Sequence, residues 1–126
     1  MMGYNLEDIA TGIDEYLIRQ PIGVFGLICP FNFPFMVFIW FAPYALATGN
    51  CIVMKPSSEV PLTQSKVAEL VEEAGIPSGV WNVVNRGRTV VSGLLDNPDI
   101  NGICFVGSTP TGKNVVYKRC GETGKK

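Results

Sequence analysis

Three short runs hold the residues with the clearest chemical potential. Cys29-Pro30-Phe31-Asn32-Phe33-Pro34 sets an uncharged amide between two aromatics and two prolines. Lys55-Pro56-Ser57-Ser58-Glu59 follows an apolar run with a cation and two hydroxyls, and Gly107-Ser108-Thr109-Pro110-Thr111-Gly112-Lys113 is a glycine-bounded turn carrying a hydroxyl and a lysine. An amide held on a rigid turn can donate to an oxygen that gains negative charge, as when a nucleophile adds to a carbonyl carbon. The side chain of Asn32 can equally satisfy turn amides between its two prolines. Lys55 suits a ribose hydroxyl or a phosphate, although a lysine after a strand is commonly just solvated.

The third run also matches the GxxxxGK spacing of a P-loop, in which backbone amides cradle phosphate. Asn114 follows it where Mg²⁺ coordination needs a Ser or Thr hydroxyl, and no strand ends in the Asp that would complete a triphosphate site. Cys120 stands beside Lys118 and Arg119, cations that lower a thiol pKa, but it is read as a structural or surface residue.

The chain has no histidine, which removes Ser-His-Asp and Cys-His catalysis and most zinc sites from it. No metal is expected. The four cysteines show no CxxC spacing and fall mainly in strand-like runs, as reduced apolar residues of a cytoplasmic or mitochondrial-matrix protein would. The ten lysines and arginines are scattered and the net charge is −1, so nucleic acid is not an expected partner. Residues 1–15 contain acids and no apolar signal core. No charged side chain occurs from Gln20 through Met54, but Pro21, Pro30, Pro34 and Pro43 cut that stretch below membrane-spanning length.

The elements that must position these runs follow from periodicity. Residues 22–28 and 51–54 read as strands, joined by an apolar segment of helical length over 35–48. That helix is apolar nearly all round and so is expected to be buried on several sides, with Pro43 kinking it or starting its last straight piece. A strand, a crossover helix and a strand form a right-handed βαβ unit, whose ligands bind beyond the carboxyl ends of the strands. Residues 62–74 place Val67, Leu70, Val71 and Ala74 on one helical face and Lys66, Glu69, Glu72 and Glu73 on the other.

Further strands are expected over 80–84 and 102–106, and further helices over 89–96 and 111–120. This alternation predicts an α/β fold with a Rossmann-like parallel sheet and helices on both faces, and the 126 residues suffice for one domain with a modest core. Residues 1–13 are poorly patterned and are expected to be loose. Residues 14–20 alternate enough to be an exposed strand, either an edge that invites another chain or a frayed leader to the first core strand.

Four blocks together carry a resemblance. Pro30-Phe31-Asn32-Phe33-Pro34, Lys55-Pro56-Ser57, Pro61-Leu62-Thr63 and Phe105-Val106-Gly107-Ser108-Thr109 resemble, in order and spacing, successive signatures of the aldehyde dehydrogenase superfamily. Phe31, where most members have Trp, is similar to the CoA-acylating methylmalonate-semialdehyde branch. The resemblance runs from about residue 14 to 126. It implies a leader and oligomerisation strand over 1–20, matching a protruding hairpin of the family, and a partial NAD-binding domain over 21–126.

The resemblance assigns Asn32 the oxyanion role. It makes Cys29 (through its backbone), Phe31, Lys55, Ser58, Glu59 and Ser108 the cofactor-binding candidates, with Lys55 on the adenosine ribose and Ser108 at the pyrophosphate. It further implies an aldehyde substrate, a homo-oligomer in the full-length form, CoA as a possible acyl acceptor, and a nucleophilic Cys lying beyond Lys126. Two positions depart from the family pattern. Ser58 stands where members commonly carry an acid that disfavours a 2′-phosphate, which leaves NAD and NADP both open. Arg86 stands where a small residue is usual, and it either crowds the site or offers phosphate a charge. The rival from another class is a noncatalytic, truncated module that binds a partner or a nucleotide.

Overall fold

The computed structural model describes residues 2–126. Six strands and six α-helices follow one another as β1 (Tyr4–Ala10), β2 (Ile13–Leu17), β3 (Val24–Ile28), α1 (Met36–Ile39), α2 (Ala42–Ala47), β4 (Cys51–Lys55), α3 (Pro61–Glu73), β5 (Trp81–Val83), α4 (Arg88–Asp96), β6 (Ile100–Phe105), α5 (Thr109–Thr111) and α6 (Lys118–Thr123). A π-helical turn, Gly112–Tyr117, joins the last two helices without a break.

Strands β3 to β6 form a parallel sheet in the order β5-β4-β3-β6. The period-two pattern of β3 explains its two-sided burial. Leu27 and Cys29 pack with Ile52 and Met54 of β4 against Val37, Phe38 and Ala42 of α1 and α2, and with Val67 of α3 and Trp81. Ile28 and Val24 face the other way, with Val53, Ile100 and Ile103, onto Val90, Val91 and Leu94 of α4. Gly26 lies under α4, where an added Cβ would come within 2.8 Å of Ile103 Cδ1. The expected parallel α/β sheet with helices on both faces is therefore present.

The apolar 35–48 segment is two short helices rather than one. Pro43 is the second residue of α2, where its missing N–H costs nothing, so it starts the last straight piece instead of kinking a longer helix. Burial also departs from expectation: Val37, Phe38 and Ala42 are buried, while Phe35, Trp40 and Tyr44 are exposed. In α3, Val67 and Val71 are half-buried, but Leu70 of the predicted inner face is exposed.

Asn50 joins this unit to β3. Its Oδ1 accepts from the amides of Ile22 (2.7 Å) and Gly23 (3.0 Å), and its Nδ2 donates to Ala45 O (3.1 Å) and Thr48 Oγ1 (2.7 Å). Buried and fully satisfied, it fixes the end of α2 against the approach to β3.

Residues 4–10, expected to be loose, form a strand. β1 pairs antiparallel with β2, in register Tyr4↔Leu17 through Ala10↔Ile13, across a Thr11-Gly12 turn. A bulge between Leu6 and Ala10, with Asp8 at φ 55°, shifts the alternation in mid-strand, which hides the period-two signal in the sequence. Every residue of this hairpin's strands is exposed except half-buried Leu17. Among the described residues, no helix is long and apolar enough to cross a membrane.

Candidate functional site

Parallel strands bring their carboxyl ends to one edge of the sheet, and the register here makes three of those ends level. Ile28 of β3 pairs with Lys55 on one side and with Phe105 on the other. Just beyond that rung, Cys29 N–H donates to Lys55 O at 3.2 Å and Val106 N–H donates to Ile28 O at 3.1 Å. The three runs singled out in the sequence thus leave the sheet side by side, with the Asn32 turn between the other two.

The turn after β3 carries Phe31 and Asn32, both exposed, and enters α1 through Phe33 at φ 54°. A phenylalanine in the left-handed region is uncommon, so surrounding contacts must hold it there. Val37 N–H donates to Phe33 O at 3.1 Å. Gln64 of α3, with 1% of its surface exposed, donates through Nε2 to Pro34 O. Its Oε1 is buried without a partner.

Cys29 itself is buried, and only its backbone faces the neighbouring loops' hydrogen-bond network. Burial, reinforced by Cys104 and opposed by Lys55, pushes its thiol pKa up to about 12. This rules it out as a nucleophile near neutrality. Cys104 is also raised by burial. Cys120 differs from the sequence reading in its electrostatics: burial raises its pKa, and the cation that opposes the rise is Lys125 rather than Lys118 or Arg119. Arg119 instead bonds Ser92 Oγ at 3.2 Å and pairs with Asp96, tying α6 to α4.

Lys55 is half-buried at the end of β4, while Ser58 and Glu59 are exposed on the following turn, which Ser57 closes by accepting from Glu59 N–H at 3.3 Å and Val60 N–H at 3.2 Å. Ser108 is exposed after β6. Its Oγ donates to Thr111 Oγ1 at 2.9 Å and accepts from Thr111 N–H at 3.4 Å, capping α5. The adjoining groove, about 320 Å³, is lined by Phe105, Ser108, Thr109, Lys113 and Tyr117 among others. An added Cβ on Gly107 would meet Phe105 Cζ at 2.6 Å, so a side chain there would require that ring to shift. Arg86 is exposed in the loop after β5, whose Val84 N–H donates to Met54 O at 2.9 Å.

Glycine-limited backbone, a half-buried cation and an uncharged amide on adjacent strand ends fit a dinucleotide's ribose and phosphates. Among the described residues no group of three or more potential metal ligands occurs. Gln64 was not apparent as a site-shaping residue in the sequence, because a polar residue in a helical run carries no signal of what it reaches across the fold.

Known proteins share this sequence and fold. The aldehyde dehydrogenase family matches residues 1–126. Malonate-semialdehyde dehydrogenase 2 of Geobacillus kaustophilus is 52% identical over 126 residues, which are all of this chain and 26% of that protein. Malonate-semialdehyde dehydrogenase of Halalkalibacterium halodurans is 51% identical over the same coverage. The chain thus spans about a quarter of the length of the curated relatives it matches. The crystal structure of methylmalonate-semialdehyde dehydrogenase from Oceanimonas doudoroffii superposes with a TM-score of 0.93 at 41% identity, covering 98% of this chain and 25% of that one. The NAD⁺ complex of aldehyde dehydrogenase from Bacillus cereus superposes with a TM-score of 0.92 at 35% identity, covering 100% and 26%. With residues 1–126 all matched by the family, the chain belongs to the aldehyde dehydrogenase family.

Proposed function

We propose that the chain is the cofactor-binding part of an NAD-dependent semialdehyde dehydrogenase, with the nucleophilic cysteine outside it. The observation that carries this reading is the level alignment of the Asn32 turn, Lys55 and the Gly107-Ser108 turn at the carboxyl ends of adjacent strands. The half-buried Lys55 is the ribose contact, Ser58 and Glu59 extend that contact along the following turn, and the exposed Ser108 turn meets the pyrophosphate. Phe31 and the Cys29 backbone line the path toward the reacting carbon. Asn32 donates its side-chain amide to the aldehyde oxygen.

In the complete reaction a cysteine thiolate adds to the aldehyde carbon and its electron pair moves to the oxygen, which Asn32 stabilises by a few kcal/mol. When bound, the nicotinamide supplies the hydride acceptor, and a thioester remains on the cysteine. CoA or water then cleaves the thioester, dividing one difficult step into easier ones. Cys29, Cys51, Cys104 and Cys120 do not supply the nucleophile in this reading, which accords with the raised pKa of three of them. The malonate- and methylmalonate-semialdehyde dehydrogenases among its relatives support a small acidic semialdehyde as substrate. The exposed β1-β2 hairpin, with Tyr4, Leu6, Ile9 and Tyr16 uncovered, supports assembly of identical subunits through it in the full-length form.

Calorimetric titration of the chain with NAD tests the assignment. Saturable binding that Lys55→Ala weakens about tenfold is the expected result, and heats indistinguishable from dilution would overturn it. Aldehyde-dependent NADH formation by the 126-residue chain would overturn the external placement of the nucleophile.

A further inference from the structure

We propose that Gln64 is a positioning residue, which aims the Asn32 amide by holding the Pro34 carbonyl. The inference rests on the oxyanion role of Asn32 proposed above. Its geometry does not.

Position 64, in the first turn of α3 with 1% of its surface exposed, is buried to a degree more usual for an apolar side chain. Gln64 instead buries an amide, leaves Oε1 without a partner, and spends Nε2 on Pro34 O, 30 residues earlier in the chain. A half-satisfied buried amide is costlier than a hydrocarbon of the same shape. Its one hydrogen bond falls on the turn that bears Asn32, two residues away.

That turn needs an external hold. Phe33 sits at φ 54°, a conformation that an L side chain does not keep unaided, and Pro30 and Pro34 offer no amide for local bonds. On the near side, Cys29 N–H is fixed to Lys55 O at 3.2 Å. On the far side, Gln64 fixes Pro34 O. Both anchors come from one βα unit, β4 and α3, which also carries Lys55, Ser58 and Glu59. The amide proposed to meet the aldehyde oxygen is thereby referenced to the same strand and helix that carry the ribose contacts.

The test is heteronuclear NMR of the chain itself. In the wild type, a scalar coupling across the hydrogen bond is expected between Gln64 Nε2 and the Pro34 carbonyl carbon, and its absence would overturn the proposal. In Gln64→Leu, exchange of the Val37 amide, which bonds Phe33 O, should rise about tenfold, and the Asn32 side-chain amide resonances should move. The Leu27 and Met54 amides should keep wild-type exchange, because the change is confined to the turn and leaves the strand pairing intact. In Gln64→Glu, the protonated carboxyl can donate to Pro34 O and the carboxylate cannot. The Asn32 resonances should therefore return toward wild-type positions as the pH falls through the raised pKa of that buried acid.

Unmoved Asn32 resonances in Gln64→Leu, faster exchange spread evenly over the sheet, or a pH-independent Gln64→Glu would each overturn the positioning role. None of these readouts uses NAD or aldehyde. A chain that fails to bind NAD would sink the functional reading while leaving this one standing.

Discussion

Cys29 N–H donates to the carbonyl of Lys55 at 3.2 Å, one step past the rung that pairs Ile28 with Lys55. This bond lies where two different tasks diverge. On one strand the backbone turns away to present Asn32, and on the other half-buried Lys55 ends β4 while its carbonyl steadies the neighbour. The thiol of Cys29 meanwhile points into the core formed by Leu27, Phe38 and Met54. The residue contributes to the site through its backbone, and its side chain belongs to the interior.

That division has a pH signature. The folded Cys29 thiol is raised from 9.0 to about 12, first by burial and then by Cys104. A raised folded-state pKa means that its stabilising contribution is complete below pH 9.0 and is lost as the pH rises toward 12. Chemical denaturation should therefore show falling stability across that window, with a shallower fall in Cys29→Ala. At pH 8, iodoacetamide should leave Cys29 unmodified in the folded chain and alkylate it in guanidinium, as read by peptide mass spectrometry. Rapid modification of folded Cys29 would contradict its burial.

Much of the fold was legible in the sequence because the signals were local. The β-branched, apolar run over 22–28 reads as a strand without revealing its two faces, and the 3.6-residue spacing in α3 marks its exposed acids. The site candidates were legible as turns after strands, and the parallel register put Lys55 and Phe105 level with Ile28. Three features were not legible. β1 was masked by a bulge, the 35–48 helix broke at Trp40 and Phe41, and Gln64 acts over 30 residues of sequence. Each depends on a partner that no local pattern names. Trp40 and Tyr44 also show that an apolar helix predicts burial only where something covers it.

The core beneath the site should be sensitive to truncation at Phe38. Its ring is fully buried and meets Phe35 (centroids 5.5 Å apart) and Trp81 (5.7 Å) in edge-to-face geometry. Phe38→Ala should cost about 3–5 kcal/mol in urea denaturation, from lost burial and the cavity left behind. A change below 1 kcal/mol would mean that the α1 packing does not support the sheet.

Close backbone approach predicts a second sensitive position. Gly23 has φ 123°, and a Cβ there would stand 2.1 Å from Asn101 Oδ1, which accepts Val24 N–H at 3.0 Å. Gly23→Ala should lower stability by about 2 kcal/mol or more, because strain and a displaced acceptor add. Pairing it with Asn101→Gly should recover the steric part but not the strain. A neutral single variant would refute the geometry at the start of β3.

Two asparagines separate a structural role from a chemical one. The side chain of Asn50 makes four hydrogen bonds while buried, so Asn50→Ala leaves the Ile22 and Gly23 amides without their acceptor and should cost about 2–4 kcal/mol. Asn32 is exposed at the site edge, and Asn32→Ala should change stability by no more than about 0.5 kcal/mol. If Asn32 were instead the residue that closes its own turn, its truncation would cost as much as loss of a helix cap, about 1 kcal/mol or more. Thermal melts of the two variants distinguish these cases. A large loss at Asn50 with none at Asn32 leaves the exposed amide free for a developing oxyanion. Equal losses would make Asn32 a turn residue and remove the chemical reason for its placement between Lys55 and Ser108.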